Sequence, residues 1–410
     1  MAEGDSSIPL KKKIKLAKLP DIGLEKIDGL RSALEALESS PRFCFCLLKI
    51  ISSDAHLCTS FSRAKCETKK SYDKDDDVDE TTKRSISNKE IYPFIEIFQN
   101  GGNILKKYLS DQSYIPNKHI EKLALEKLLS LLLEIEDLGE KMSYKKPEFK
   151  TCKNETSWTV RLAHHILSPL AVYQPYVIDD TSKNKCDICH CCKEPISGVY
   201  GDTSLGNINV WHGSLDILLG RRVGMKIHDD EIFEDHEGKP STSSFEIKDG
   251  DSLVGDRQQI IAETIVFAFL QKKINPDLKH FLIPTIGMSK TDVLFYLYDT
   301  DHDVLLESPP FFIFENNREI SYVTILALWL AINYPILGTG ITTHIKNRSF
   351  TADFLTHLRN KKVETIYENE VQLGQLKGKV RVDPYYLPND GGRWVVKKGG
   401  MPLKEAEKNV

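Results

Sequence analysis

An α/β fold, with a mixed central sheet flanked by helices, is the fold class that the sequence predicts for this chain. Three observations indicate it. A segment with apolar residues at helical spacing (155–170) precedes a series of short strand-like runs, and a long apolar helix (256–273) interrupts that series. The strand-like runs are 198–203, 208–219, 244–247, 281–286, 292–299 and 304–314. Because helix, three strands, helix and strand follow one another, the pattern is typical of an α/β sandwich.

Changes in composition divide the chain into four segments. A helical N-terminal region (25–148) carries leucine and isoleucine at helical spacing, most clearly between Ile120 and Ile135. Within it, a charged and weakly apolar stretch near 67–90 is typical of a disordered, solvated linker. The other three segments are a basic flexible tail (1–24), the α/β core (149–345) and a C-terminal extension (346–410).

The composition also restricts the class of protein. Hydrophobic residues make up 40% of the 410 residues, which is enough for a packed core and excludes global disorder. The net charge of −4 gives the whole molecule no attraction for nucleic acid. A nucleic-acid partner would therefore need a local basic surface.

Three features bear on location. Nine cysteines without a secretory signal favour an intracellular, reducing compartment and mostly free thiols. The basic segment 9–15 resembles a nuclear-import sequence, so both nucleus and cytoplasm stay open. The nearly uncharged segment 322–343 favours a buried helix ending near Pro335 over a membrane span, and we expect no membrane partner.

Asp216 is the first candidate for chemistry. Alternate residues of a strand share one face of the sheet. In the run 208–219 this rule puts polar side chains on one face and apolar ones on the other. The polar face would carry Val210, His212, Ser214 and Asp216. An acid inside such an apolar run is costly unless it is paired or bound to a metal ion.

Glu246 and Lys248 are the second candidates. Glu246 lies in the strand-like run 244–247, and Lys248 directly follows that run. Because they are two residues apart, they would share one face of the strand, about 6.6 Å apart along it. If the two strands pair, Asp216 can meet Glu246, and two neighbouring carboxylates call for a cation between them. Carboxylate oxygens suit Mg²⁺ or Mn²⁺, and the lysine ammonium can orient water or offset charge on a phosphorane-like transition state.

This set of residues resembles the motif of the PD-(D/E)XK nuclease superfamily, which has an acid on one strand and Glu-x-Lys on the next. The resemblance covers about residues 154–300 and is similar to the RecB-like and phage-exonuclease-like branches. Many members carry a glutamine on the following helix, where this chain has Gln258 and Gln259. Many also carry a glutamate on the preceding helix, for which Glu155 is the best match. Leu215 stands where a proline is frequent before the acid.

The resemblance implies a restriction-endonuclease-like core and a metal-dependent nuclease. Asp216, Glu246 and Glu155 would bind Mg²⁺ or Mn²⁺, and Lys248 would assist the attacking water. One of the two glutamines would position that lysine or the substrate. The implied partner is nucleic acid, DNA in preference to RNA. The alternative is a catalytically inactive protein of the same fold that binds nucleic acid or acts as a scaffold, because Glu-x-Lys on an exposed strand is usually a solvated face.

A dense cysteine cluster suggests a second kind of site. Cys186 and Cys189 have the Cys-x-x-Cys spacing that grips Zn²⁺, and Cys191 and Cys192 follow at once. A structural zinc site needs four ligands, so Cys191 or Cys192, His190 or the distant Cys152 would complete it. Free thiols in a surface turn are the alternative. A zinc-dependent adaptor is therefore a third functional hypothesis.

Two further histidine positions are less specific. His212 would lie on the face of Asp216, where it could contact phosphate, and a packing or hydrogen-bonding role is the alternative. His164 and His165 are adjacent on the first helix of the core, so only one of them is expected to face the strands. Core or solvent positions are expected for this pair.

Overall fold

The computed structural model describes most of the chain, and the structural statements below concern those residues. They are 18–71, 91–142, 155–172, 176–182, 185–220, 223–227, 253, 255–315, 319–346, 350–376, 394–395 and 403–404. Glu246 and Lys248 lie outside the described residues, as do Cys152 and the basic segment 9–15. Their roles stay predictions.

Helices account for much of the described chain. They are α1 (Leu24–Ser39), α2 (Gln99–Ser110), α3 (His119–Leu133), α4 (Ile135–Met142), α5 (Glu155–Leu162), α6 (Ser168–Leu170), α7 (Arg257–Ile274), α8 (Tyr322–Ile332), α9 (Tyr334–Leu337), α10 (Thr343–Lys346), α11 (Phe354–Lys361) and α12 (Glu364–Asn369). A π-helical turn, Ala163–Leu167, joins α5 to α6. Among the described residues, no helix is both long enough and apolar enough to cross a membrane.

The strands are short and mostly belong to one sheet. They are β1 (Cys44–Ser53), β2 (Cys66–Lys70), β3 (Ile91–Pro93), β4 (Tyr176–Asp179), β5 (Val199–Gly201), β6 (Ser204–Gly206), β7 (His212–Ser214), β8 (Ile217–Leu219), β9 (Val223–Ile227), β10 (Leu282–Met288), β11 (Asp292–Asp299), β12 (Val304–Glu307), β13 (Phe311–Phe312), β14 (Gln372–Leu373), β15 (Trp394–Val395) and β16 (Leu403–Lys404). The large sheet has the order β2-β1-β12-β11-β10-β9-β8-β4-β5, with β3 beside β1 and β13 beside β11.

The sheet is mixed, which confirms the predicted α/β class. β8 lies between β4 and β9 in the sheet and is antiparallel to both. β9 lies parallel to β10, and the two are connected through α7. A parallel pair needs a crossover, and an apolar helix packed on the sheet is the usual one. Most of α7 is buried, from Ile260 to Gln271.

The N-terminal region is not purely helical. β1 pairs with β12, so the apolar run at 44–53 is a strand that extends the core sheet. β2 pairs with β1 and includes residues 66–70, where the predicted linker was to begin. The rest of that linker, residues 72–90, lies outside the described residues. Apolar periodicity identified α1, but it did not show that the following segment joins a distant part of the chain.

The predicted strand 208–219 is two strands in two sheets. β7 pairs with β6 in a three-stranded sheet that β14 completes, whereas β8 belongs to the large sheet. Thr203 fixes the break, because its hydroxyl donates to the carbonyl of Leu215 at 2.5 Å and its carbonyl accepts from the Leu215 amide at 3.3 Å. Asp216 therefore lies at the junction between the two sheets rather than inside one strand.

The C-terminal segment packs on the core. β14 pairs with β6, and the Tyr367 hydroxyl donates to the Ala55 carbonyl at 2.8 Å. The ring of Phe354 stacks on Trp211 with centroids 5.7 Å apart. These contacts join residues that are more than 140 positions apart. α11, α12 and β14 thus share the hydrophobic core of the main sheet.

A buried carboxylate ties α7 to the N-terminal strands. Glu307, at the end of β12, accepts two hydrogen bonds from Arg257, at 2.6 and 3.2 Å. The Tyr296 hydroxyl donates to it at 2.7 Å, and the Lys70 ammonium lies 3.1 Å away. Burial raises the pKa of Glu307, but Arg257, Lys70 and the Tyr296 hydroxyl lower it, and the net shift is downward. The carboxylate is therefore charged and held by four donors from three elements.

Candidate metal centre

The cysteine-rich segment folds into a tight turn between β4 and β5. The Cys189 amide donates to the Glu194 carbonyl at 2.8 Å, and the Lys193 amide donates to the Cys189 carbonyl at 2.9 Å. Lys193 has a left-handed backbone with φ 64°, which closes the turn. A further hydrogen bond, from the Ile196 amide to the Asp187 carbonyl at 3.0 Å, joins the two ends of the turn. The turn brings the sulfur atoms of Cys189, Cys191 and Cys192 together.

His165 completes a group of four donors. Its Nε2 atom lies 2.9 Å from the Cys191 sulfur and 3.3 Å from the Cys189 sulfur, and those two sulfurs are 3.2 Å apart. With Cys192, all four donor atoms lie within 4.8 Å of one another. In a tetrahedral zinc site with Zn–S about 2.3 Å and Zn–N about 2.0 Å, neighbouring donors are separated by about 3.5–3.8 Å. Small side-chain rotations would open the group to that size, so it can hold a metal ion.

Two adjacent histidines of the π-helical turn both lie near the cysteine turn. In an α-helix, neighbouring residues point about 100° apart, which is why only one was expected to face the strands. The turn Ala163–Leu167 inserts an extra residue, and such turns occur frequently at functional sites. His164 and His165 lie with ring centroids 4.7 Å apart, and His164 Nε2 is 3.9 Å from the Glu194 carboxylate. His164 and His165 were expected at core or solvent positions, and they lie instead against the cysteine turn.

The electrostatics of the thiols fit a dication. The hydrogen bond from Cys191 is the largest effect on Cys189 and lowers its pKa well below the usual value, helped by His165. The same interaction raises the pKa of Cys191, and burial raises that of Cys192. Three thiolates at this spacing repel one another, so all three ionise only when a cation lies between them.

The observed group has His165 in the place of Cys186 of the predicted set of four cysteines. Cys189, Cys191 and Cys192 belong to it, as predicted. Cys186 and His190 lie outside this group of four. The backbone of Cys186 is hydrogen-bonded to the Tyr200 hydroxyl. This hydroxyl accepts from the Cys186 amide at 3.1 Å and donates to the Cys186 carbonyl at 3.2 Å. The eight described cysteines form no disulfide. Sequence spacing missed His165 because the ligand lies 24 positions before the first cysteine of the group.

Asp216 lies where three strands meet. Its amide donates to the Met225 carbonyl of β9 at 3.0 Å, and its carbonyl accepts from the Asp179 amide of β4 at 3.0 Å. Its side chain is half-buried. In the register of β8 and β9, Ile217 lies opposite Met225, so Lys226 is the next residue of β9 beside Asp216. Among the described strands, β4 and β9 are the two that pair with β8, and the run 244–247, which the sequence suggested as a partner, lies outside the described residues.

His212 does not share the position of Asp216. It is 3% exposed and belongs to the three-stranded sheet. Its Nδ1 atom donates to the Val210 carbonyl at 2.8 Å, and its amide donates to the Thr59 carbonyl at 3.2 Å. These contacts give His212 the packing and hydrogen-bonding role that was the alternative to phosphate contact.

The two glutamines of α7 point to different partners. The side-chain oxygen of Gln258 accepts from the Cys66 amide of β2 at 3.3 Å. The side-chain amide of Gln259 donates to the Glu263 carboxylate at 2.8 Å, one helical turn further on. Glu263 lies on the buried side of α7 and is fully buried. Gln259 is thus the glutamine that is directed along the helix toward the core, and Gln258 contacts the N-terminal strands. Glu155 is the first residue of α5, and its predicted role as a ligand stays a prediction.

Comparison with protein-family models, with curated proteins and with solved structures finds no match to this chain. Within the chain itself, the elements around Asp216 follow one order. A helix (α5 with α6) precedes the antiparallel strands β4, β8 and β9, then α7 crosses to β10, which lies parallel to β9. The described chain also has β5, β6 and β7 between α6 and α7, so six strands lie there where the sequence predicted three, and the third predicted strand, 244–247, lies outside the described residues.

Proposed function

We propose that this chain is a divalent-metal-dependent nuclease that hydrolyses phosphodiester bonds, with DNA as the preferred substrate over RNA. The observation that carries the proposal is the position of Asp216. It directly precedes β8, which lies between β4 and β9 in an antiparallel group of strands, and one helix precedes this part of the chain and a second follows it. An acid on one strand, flanked by helices in this order, is what the resemblance to PD-(D/E)XK nucleases implies.

Each proposed role follows from the chemistry of the residue. Asp216 and Glu246, helped by Glu155, would hold Mg²⁺ or Mn²⁺ through hard carboxylate oxygens. A divalent cation held by these residues would supply Lewis-acid chemistry for the attack of water on phosphorus, in which the phosphorus–oxygen bond to the leaving group would break. Lys248 would orient that water or offset the charge that develops on the phosphoryl oxygens. One of the two glutamines that open α7, Gln258 or Gln259, would position that lysine or the substrate, as the resemblance implies.

The direct test is digestion of mixed DNA and RNA by purified protein with Mn²⁺. We expect cleavage by the wild type, and a fall of about 10²-fold or more for Asp216→Asn and Lys248→Ala, because each removes a group that acts on the reacting atoms. Asp28→Asn, an exposed acid on α1, is the matched control and should cleave like the wild type.

A further variant, Lys226→Ala, separates two versions of the site. Lys226 is next to Asp216 in the register of β9. If Lys226→Ala abolishes cleavage and Lys248→Ala does not, the catalytic lysine belongs to β9 and the assignment of Lys248 is overturned. Equal digestion by the wild type and all variants would mean a contaminating nuclease and would remove the proposal. Binding of nucleic acid without cleavage by the wild type would establish the inactive, nucleic-acid-binding alternative.

The metal of the His/Cys group belongs to a different class. Thiolate and imidazole donors suit Zn²⁺, and Mg²⁺ and Mn²⁺ prefer oxygen. Three cysteine sulfurs and one histidine nitrogen form a set of four protein ligands, which is typical of a structural zinc site. Zn²⁺ in this site would join the π-helical turn to the loop before β5, two segments that flank β4. A reducing, intracellular location would keep these thiols available.

A further inference from the structure

A cavity of about 420 Å³ lies against the His/Cys group. Its walls come from α3 and α4, from the π-helical turn and from the end of the cysteine turn. His164, His165 and Glu194 line it on one side, and Lys127 and Lys141 lie among the residues on the other. The cavity therefore reaches both histidines of the π-helical turn, although only His165 belongs to the group of four.

His164 has a donor set of its own. A ring nitrogen of His164, the sulfur of Cys192 and a carboxylate oxygen of Glu194 all lie within 4.8 Å of one another. Imidazole, thiolate and carboxylate are the three kinds of side chain that bind zinc in proteins. The His164 Nδ1 atom is buried and has no hydrogen-bond partner among the described residues. A buried polar atom of this kind calls for an explanation, and an ion or water that completes its contacts is a common one.

Cys192 belongs to both donor sets. A thiolate sulfur carries more than one lone pair and can bind two cations at once. Both histidines of the π-helical turn line the cavity, so the second set lies beside the first. Two metal ions could then lie side by side, one within the cysteine turn and one at the edge of the cavity.

We propose that His164, Cys192 and Glu194 form a second position for a zinc-like divalent cation, which shares Cys192 with the first position. Three protein ligands leave a fourth place open, which is the arrangement of exchangeable zinc sites, as opposed to closed structural ones. His164 and Glu194 line the cavity, so water or a small ligand could reach the open place from it. This position differs from the proposed Mg²⁺ or Mn²⁺ site in both its residues and its donor atoms.

Metal stoichiometry tests the proposal without nucleic acid. Metal-free, reduced protein is dialysed against excess buffered Zn²⁺, and bound zinc per chain is measured by mass spectrometry. We expect two equivalents for the wild type and one for both His164→Ala and Glu194→Ala. Glu126→Ala changes a carboxylate in the cavity wall that lies outside the donor set, and it should keep two.

Two readouts keep a folding defect separate from lost binding. Glu194 is mostly exposed, so its replacement should leave the circular dichroism spectrum and the thermal midpoint of the metal-free protein unchanged. Titration with Co²⁺ should give a thiolate-to-metal absorption band that keeps growing past one equivalent in the wild type and stops at one in Glu194→Ala. One equivalent in the wild type, with no change in either variant, would overturn the second position. That result would leave the nuclease proposal unaffected.

Discussion

Replacement of Cys189 by serine is expected to abolish tight zinc binding and to lower the thermal stability of the protein. The Cys189 sulfur lies within 3.3 Å of two other donors of the group, and its pKa is the one that the neighbouring thiol and imidazole lower. A serine hydroxyl at this position is a poor zinc ligand, because it keeps its proton at neutral pH. Structural zinc contributes folding free energy directly, up to about 10–16 kcal/mol in small zinc domains. Here one loop and one helix depend on it, and we expect a fall of about 5 °C or more in the thermal midpoint.

The measurement combines zinc content with thermal unfolding, before and after chelation. After dialysis against a weak chelator, the wild type should retain about one equivalent in the tight position and the Cys189→Ser variant almost none. Strong chelation should lower the midpoint of the wild type to that of the variant and leave the variant unchanged. Cys186→Ser is the matched control, since Cys186 lies in the same segment but outside the group of four, and it should behave as the wild type. Zinc loss in Cys186→Ser would return Cys186 to the ligand set.

Replacement of Glu307 by glutamine is expected to lower the free energy of unfolding by about 3 kcal/mol at neutral pH. Removing one partner of a buried ion pair typically costs roughly 3–5 kcal/mol, because the remaining charge stays buried without compensation. Arg257 and Lys70 keep partial contact with water, with side chains 27% and 34% exposed, so the lower end of that range applies. Denaturant unfolding of the variant measures the loss. Glu364→Gln breaks an exposed pair with Arg359, and we expect it to cost roughly 0–1 kcal/mol.

The Glu307 effect should also depend on pH in a specific direction. The folded-state pKa of Glu307 is lowered from its ordinary value of 4.5. A carboxylate with a lowered folded-state pKa stabilises the protein fully above its unfolded-state pKa, and this contribution is lost as the pH falls through the folded-state pKa. The difference between wild type and Glu307→Gln should therefore be constant above pH 4.5 and shrink below it. A difference that grows as the pH falls would contradict the charged, donor-held state of Glu307.

Strong local patterns made part of the fold predictable. The continuous apolar run at 292–299 is the strand β11, and the apolar segment at 256–273 is the helix α7 within one residue at either end. The predicted buried helix within 322–343 is α8, which ends at Ile332 and which Ser321 caps by accepting a hydrogen bond from the Thr324 amide. In each of these elements, the residues that define the pattern are also the residues that the core buries.

Other features depend on contacts that the local pattern does not contain. The run 208–219 alternates like one strand, but Thr203 ends the first half at Leu215, and the two halves join different sheets. The strand β1 is fixed by its pairing with β12, about 260 residues away. His165 reaches the cysteine turn because a π-helical turn rotates it there, and the α-helical period used for prediction has no place for that extra residue. The thiols of the metal group could be predicted from spacing, whereas its nitrogen ligand could not.

X-ray absorption at the zinc edge tests the composition of the metal centre most directly. Protein loaded with one equivalent of Zn²⁺ should show three sulfur neighbours at about 2.3 Å and one nitrogen neighbour at about 2.0–2.1 Å. In His165→Ala the nitrogen shell should be lost or replaced by oxygen, while the three sulfurs remain. A shell of four sulfurs that is the same in wild type and His165→Ala, or a shell without sulfur, would contradict a zinc centre made of His165, Cys189, Cys191 and Cys192.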